Sequence, residues 1–456
     1  MYNKPVNMKR FFTTLILSAF VIIGSNAQNT EPASPARKCA SPKVNPTYEE
    51  AFQGMLQRHE QFANIKKTLT VYNIPVIFHI LHSGVAVNST SATSGRNLNA
   101  AQIASQLTVL NQDFRKTNTN FSTTVTQSAF INAAADCEIN FCMAKISPTG
   151  TILAEPGIDR ISVSSKGWNA LPYTMSYIES TVKPGSSWDP TKYLNIWILE
   201  FGGADVGTLG YAQFPTIPNG TTPVTDMVGW GGAANTDGVV FDYHYVGTTG
   251  TASYPYNKGR TATHEIGHWL GLWHINGDTN CGNDYCTDTP TQSSLTGGCP
   301  STTGGTSASG CSASPNPPGK MYQNYMDYSD DRCMSMFTTG QKARMQAVMA
   351  NCTRRLSLNT STVCSVTNID ENVSDINFEV YPNPSKGEFF VNVDLLNQQD
   401  FTVTVINTLG QTVKEIRQVQ SNGGAIKIDL SDKSEGVYFV TVKSKSVSKT
   451  KRIILQ

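Results

Sequence analysis

Residues 264–274 read His-Glu-Ile-Gly-His-Trp-Leu-Gly-Leu-Trp-His. On a helix, His264 and His268 lie one turn apart on the same face, so both imidazoles reach one metal ion. Glu265 is a step round and addresses a metal-bound water rather than the metal. Gly271 accepts a left-handed backbone, which ends the helix and turns the chain. That turn returns His274 as a third ligand. Three neutral imidazoles with one position left open form the donor set of a catalytic zinc ion, because structural zinc sites are closed by four protein ligands. Zinc polarises a water and a carbonyl, and Glu265 is the group to take the water's proton and pass it to a leaving amine. The chain has only seven histidines, and the other four (His59, His79, His82, His244) read as packing or surface residues.

Outward from this helix the pattern is that of a mixed α/β domain. A buried-strand signal runs from Thr70 through Ile74, Val76, Ile77, Phe78, Ile80 and Leu81. Asn99-Ala-Ala-Gln102 has the form of a capping box and opens a helix with Ile103, Leu107, Leu110 and Phe114 at helical spacing. Further strands are expected at Glu138–Ala144, Tyr193–Phe201, Gly210–Phe214 and Gly238–Tyr245. Strands interleaved with helices place the zinc helix against a twisted sheet. Gly210–Phe214 is a candidate edge strand for an extended peptide, held through backbone hydrogen bonds.

The string at 264–274 resembles the long zinc signature of the metzincin metalloproteases. Asn324-Tyr325-Met326-Asp327-Tyr328 resembles the Met-turn that follows it, with Met326 as an apolar floor under the histidines. Tyr328 stands where related enzymes place a tyrosine that approaches the zinc or the tetrahedral intermediate; the alternative is a packed tyrosine. Within the metzincins the chain is similar to the pappalysin family, on His264–Trp273, Asp288-Thr289-Pro290 and Asn324–Cys333. The resemblance covers about residues 68–356. It implies a metzincin-type catalytic domain, with a twisted mixed sheet over an active-site helix, and endopeptidase activity on proteins or peptides. It also implies calcium, with Asp284, Asp288 and Thr289 as candidate ligands, and two disulfides in the loop between His274 and Met326. Cys299–Cys333 fits one bridge, while Cys311 has Cys281 or Cys286 as partner. The family's wall for the residue after the scissile bond falls on Asp330–Phe337. That stretch holds both acids and Met334 and Met336, so basic and apolar preferences are both open.

The N-terminus sets the compartment. Lys4, Lys9 and Arg10 precede an apolar run from Phe11 to Ile23 and then small residues to Ala27, the order of a secretory signal over residues 1–27. The run is too short to span a bilayer, and no transmembrane segment is expected in the mature protein. Ten cysteines in an exported chain read mainly as disulfides. Residues 28–67 form a propeptide, helix-like through Tyr48–Lys67. Its Cys39 resembles the cysteine switch of some zymogens of this family, with thiolate as a ligand to zinc in the latent form; a disulfide role is the alternative.

Residues 357–375 are rich in Ser, Thr and Asn without periodicity and read as a linker. Residues 376–456 carry short alternating strands between turn residues, the pattern of an all-β sandwich. Tyr381-Pro-Asn-Pro384, Asn407-Thr-Leu-Gly410, Gly436-Val-Tyr438 and Lys449–Arg452 resemble the sorting domain of the type IX secretion system of Gram-negative bacteria. This implies that system's machinery as a partner, passage through the periplasm, and a secreted or cell-surface location. Lys and Arg (35) balance Asp and Glu (34), so no global field draws the chain to nucleic acid, and a monomer is expected. A second reading is a surface binding or adhesion protein with a vestigial zinc domain. The presence of Glu265 argues against it, since such a site has no need of a proton shuttle.

Overall fold

The computed structural model describes residues 1–2, 37–63, 71–89, 95–121, 128–219, 223–224, 232–300, 308–311, 319–365, 376–444 and 448–456. The signal-peptide reading, from residue 3 onward, and residues 28–36 and 64–67 of the propeptide lie outside them. In chain order the first part contains α1 (Pro46–Ala63), β1 (Tyr72–His82), α2 (Ala100–Phe114), β2 (Ile139–Met143), β3 (Ile158–Ser162), β4 (Leu194–Leu199), β5 (Gly210–Ala212) and β6 (Val239–Asp242). The helices α3 (Arg260–Trp269), α4 (Thr339–Asn351) and α5 (Thr353–Leu358) follow.

The sheet order is β2-β1-β4-β6-β5, with β3 also pairing with β1. Strand β1 is parallel to β2, β3 and β4, and β4 is parallel to β6. Ile74 to Leu81 are buried without alternation, as expected of a strand covered on both faces. Among the described strands of this sheet only β5 runs antiparallel, against β6, and it is the last strand in the order. Helix α2 is capped as expected, Asn99 Oδ1 accepting from Gln102 N at 2.7 Å. The reciprocal half of the box is absent, because the Gln102 side chain turns to residues 246–251, its oxygen accepting from Thr251 N and its amide donating to Val246 O and Thr251 Oγ1.

Three features depart from the sequence reading. Strand β3 was not anticipated, because Asp159 and Arg160 interrupt its apolar pattern. Helix α4 was also missed, although Thr338 and Gln341 form a complete capping box at its start. The linker begins later than composition suggests. Helix α5 runs to Leu358, Ser361 Oγ donates to Lys192 O, and Cys364 is bonded to Cys142 on β2. Residues 357–365 therefore belong to the first domain, and residues 366–375 lie outside the described set.

The C-terminal part consists of β7 (Ile376–Tyr381), β8 (Glu388–Asn407), β9 (Thr412–Asp429), β10 (Gly436–Lys443) and β11 (Ser448–Leu455). All pairings are antiparallel, and β8 is long enough to pair with β7, β9 and β10. Alternate residues such as Val391, Val393, Val403, Val405, Val440 and Val442 form its core, giving the expected all-β sandwich. The motif residues close its turns. Asn383 donates to Arg452 O and accepts from Ile454 N, and Asn407 Oδ1 accepts from Leu409 N and Gln411 N.

Candidate active site

Helix α3 is buried along its whole length beneath the sheet. It stops at Trp269, and Gly271 takes φ +86°, as the turn requires. A Cβ at Gly271 would also stand 2.6 Å from the ring of Phe52 on α1. The turn brings His274 back beside the helix. His268 Nε2 lies 3.2 Å from His264 Nε2 and 3.1 Å from His274 Nε2.

Each imidazole is oriented through its other nitrogen. His264 Nδ1 donates to Tyr325 O and His268 Nδ1 to Leu272 O, both at 2.7 Å, and His274 Nδ1 donates to Asp278 Oδ1. The three Nε2 lone pairs therefore face one another in a buried space, an arrangement that a shared cation stabilises. Zn–N bonds of about 2.1 Å at tetrahedral angles set ligand nitrogens roughly 3.4 Å apart, so the donor set fits zinc. Burial, with the neighbouring His268 and His274, holds His264 well below its ordinary pKa; burial, with His274, holds His268 at about 3. Neutral imidazoles are the form a metal needs.

The Met-turn supports the site from below. Met326 is fully buried, and a Cβ on Gly267 of α3 would lie 2.5 Å from its Sδ. Tyr328 packs its ring 5.0 Å from that of His274 and 5.8 Å from that of His264. Its hydroxyl faces Cys39 O at 3.5 Å, and burial, with Cys39 and Glu265 nearby, raises its pKa.

The cleft is filled by the protein's own N-terminal segment. Cys39 Sγ and the three histidine ligand atoms lie within 4.8 Å of one another. Leu209 N donates to Lys38 O and Ala40 N to Gly210 O, so this segment extends the sheet beyond β5, parallel to it. Ser41 Oγ donates to Glu265 Oε2 at 3.0 Å and accepts from Ala212 N at 2.9 Å, and Cys39 Sγ lies 3.3 Å from Glu265 Oε2. Burial pushes the Glu265 carboxyl up to about 7, against the downward pull of Cys39 and Ser41. Burial, with Glu265 beside it, also raises the Cys39 thiol. Cys39 forms no disulfide.

Sequence reasoning missed Arg37. Its guanidinium is buried, donates to Asp331 Oδ1 at 2.6 Å and lies 4.5 Å over the ring of Tyr256. The basic pair Arg37-Lys38 ahead of Cys39 was the available signal. Also missed was Glu49 on α1, which accepts from Arg344 at 2.6 and 2.9 Å and from Trp273 Nε1 at 2.7 Å. Arg344 in turn donates to Gly271 O.

The cysteine-rich loop pairs Cys299 with Cys333 and Cys281 with Cys311. Cys286, the other partner considered for Cys311, is free and buried, as are Cys137 and Cys352. With Cys142–Cys364, six of the ten cysteines are paired, as expected of an exported chain. Asp284 is buried and accepts from Thr289 Oγ1 and Cys286 N, and burial raises its carboxyl to about 7. The Asp288 oxygens accept from Thr338 Oγ1 and Gly340 N at the start of α4. The remaining histidines stay apart from the cluster. His79 contacts Asp159 and Asn195, and His244 contacts Asp242.

Residues 176–350 match the protein family described as Pregnancy-associated plasma protein-A, and residues 379–456 match the secretion system C-terminal sorting domain. An extracellular metalloprotease of Verticillium alfalfae is 30% identical over 283 residues, spanning 61% of this chain and 77% of that protein. One from Colletotrichum graminicola is 30% identical over 342 residues, spanning 74% of this chain and 96% of that protein. Among solved structures, promirolysin of Tannerella forsythia is 32% identical, covers 71% of this chain and 97% of its own, and has a TM-score of 0.55. Mature mirolysin of Tannerella forsythia in complex with a cleaved peptide is 35% identical, covers 64% and 97%, and has a TM-score of 0.52. Among the described residues no helix is long and apolar enough to cross a membrane. With a relative matched over nearly its whole length and the fold shared, the chain belongs to the pappalysin family of metalloendopeptidases and carries a type IX secretion sorting domain at its C-terminal end.

Proposed function

We propose that this chain is an exported, latent zinc endopeptidase in which Glu265 is the proton shuttle and the segment around Cys39 closes the active site until it is removed. The observation that carries the reading is the convergence of Cys39 Sγ with three histidine nitrogens, directly beside the Glu265 carboxylate. Zinc held by His264, His268 and His274 would supply a Lewis acid for a water and for the scissile carbonyl. Glu265 takes the proton of the attacking water and delivers it to the departing amine. Tyr328 donates its hydroxyl to the oxygen that gains charge as the carbonyl is attacked.

In the latent form Cys39 fills the position a water would take, Ser41 engages Glu265, and residues 38–40 occupy the strand edge on which an extended substrate would lie. The larger share of this chain matched by promirolysin (71%) than by mature mirolysin (64%) supports a removable segment of this kind. We place its end near residue 67, after α1, and the end of the catalytic domain at Cys364. Arg37 in its pocket supports a substrate preference: once vacated, the site around Asp331 and Tyr256 takes a basic side chain. Asp284, Asp288 and Thr289 supply hard oxygen atoms for calcium in the cysteine-rich loop, with Asp288 also accepting from Thr338 Oγ1 and Gly340 N at the start of α4. The signal sequence and the sorting domain direct export through the periplasm to the surface or beyond.

The test is direct. The purified full chain should carry one zinc and release it to a chelator. After removal of the N-terminal segment it should cleave peptides, with arginine or lysine enriched beside the scissile bond in a mixed library. Glu265→Ala should keep its zinc and lose cleavage. A chain without zinc, or cleavage that survives Glu265→Ala, overturns the reading.

A further inference from the structure

The three imidazoles are not held alike. His264 and His268 give their Nδ1 hydrogens to backbone carbonyls, those of Tyr325 and Leu272. His274 alone gives its hydrogen to a carboxylate, Asp278 Oδ1, and it alone lies beyond the end of α3. Both side chains of this pair are nearly closed to solvent, at 4% and 7% exposure. The other carboxylate oxygen, Oδ2, accepts from Val44 N of the N-terminal segment at 3.2 Å.

The turn carrying Asp278 is closed by contacts that do not involve its carboxylate. Gly277 N donates to His274 O at 2.8 Å, and Asp278 N donates to Asn276 Oδ1 at 3.1 Å. The backbone at Asp278 is left-handed, with φ 58°. A residue there serves the fold through its backbone, so the carboxylate is available for a separate task.

We propose that Asp278 is a positioning residue for the third metal ligand. As acceptor it fixes His274 with the hydrogen on Nδ1, leaving the Nε2 lone pair free to point at His264 and His268. Its negative charge makes that nitrogen a stronger donor toward a cation. Backbone carbonyls suffice for the two ligands that a helix already aligns. The ligand on the turn has no such support, and the carboxylate provides it. This inference rests on reading the three histidines as zinc ligands.

The experiment uses the full chain and zinc ion alone, with affinity measured by competition against a chromogenic chelator. Asp278→Asn and Asp278→Gly both tolerate the left-handed backbone, so neither strains the turn. Asparagine keeps a neutral acceptor, and glycine removes it. Zinc affinity should fall for Asp278→Asn and fall further for Asp278→Gly, by about 10–100-fold in all. The thermal midpoint of the metal-free chain should stay with wild type. Unchanged affinity in both variants overturns the proposal. So does a loss of affinity matched by an equal loss of stability in the metal-free chain, which would mark Asp278 as a structural residue only. Wild-type chain that takes up no zinc removes the underlying ligand reading, and this inference with it.

Discussion

The catalytic domain and the C-terminal sandwich solve the problem of holding a chain together in opposite ways. The first buries charge. Asp113 accepts from Arg260, Thr263 and Tyr325; Asp237 accepts from Arg355, Arg354 and Trp269; and Glu49 accepts from Arg344 and Trp273. In the sandwich the buried polar residues among those described are Ser385 and Ser444, and ion pairs such as Lys427–Glu388 lie at the surface. A buried ion pair is a poor source of net stability, because desolvation offsets most of its attraction. Its use is to fix geometry. These networks anchor the two ends of α3, through Arg260 and Thr263 at one end and Trp269 at the other, and Arg344 holds the Gly271 turn. The sandwich fixes no such constellation and relies on alternation of apolar residues.

The sharpest separation is expected at Glu265. Replacing it by glutamine in the processed enzyme should lower kcat/KM for a peptide by about 10²–10⁴-fold, the usual contribution of a general base, while zinc content and the unfolding of both domains stay as in wild type. A variant that loses zinc along with activity would blur the line between chemistry and support.

Asp237 tests the buried network itself. Asp237→Ala leaves Arg355 buried without its carboxylate and should destabilise the catalytic domain by about 3–5 kcal/mol, with the sandwich transition unmoved. Burial alone would push the Asp237 carboxyl up, but Arg355 and Arg354 outweigh it and hold it below the ordinary range. A depressed folded-state pKa gives stability that is present above the unfolded value near 3.9 and lost as pH falls through the lower folded value. The wild-type catalytic domain should therefore weaken on acidification below about pH 4, and Asp237→Ala should show a flatter acid limb. Calorimetry across pH 3–6 checks both; parallel acid limbs would show that the network does not carry this dependence.

The sequence made the two regions legible to different degrees for the same reason. Most runs in the sandwich announced themselves, because period-two patterning is a local signal; the first half of β9 did not, since Val413 and Ile416 stand three apart among polar residues. In the catalytic domain the zinc string was legible from spacing alone, since helical geometry places His264 and His268 together, and Gly271 returned His274 as expected. What was hidden came from contacts between distant residues. Arg37 meets Asp331 across nearly 300 positions, and no local pattern marks that pairing. Glu49 on α1 was one more acid on a helix with a weak apolar face until Arg344 and Trp273 closed around it. Asp288 was legible as an oxygen donor in its loop, but no local pattern marks that its carboxylate also meets Thr338 and Gly340 at the start of α4. Strand β3 was lost to Asp159 and Arg160, whose polar side chains are satisfied by His79 and by Glu155 and Asn97.

Smaller effects should mark the apolar side of the contrast. Ile428 on β9 is fully buried in the sandwich. Ile428→Val removes one methylene and should cost about 0.5–1.5 kcal/mol, read as a shift of the sandwich transition alone, with peptide cleavage by the processed enzyme unaltered. A shift of the catalytic transition as well would mean that the two cores unfold together and that the contrast drawn here is one of composition only.

The smallest effect is expected where the sandwich carries charge. Lys427 on β9 and Glu388 on β8 are diagonal neighbours paired at 2.8 Å, both more than half exposed. At that exposure water screens the attraction, and ordering two long side chains opposes it. Lys427→Ala should leave the unfolding midpoint of the sandwich where it is, at low and at high salt. A salt-dependent drop in that midpoint would show that surface charge does structural work there, which would bring the sandwich closer to the catalytic domain than its buried residues suggest.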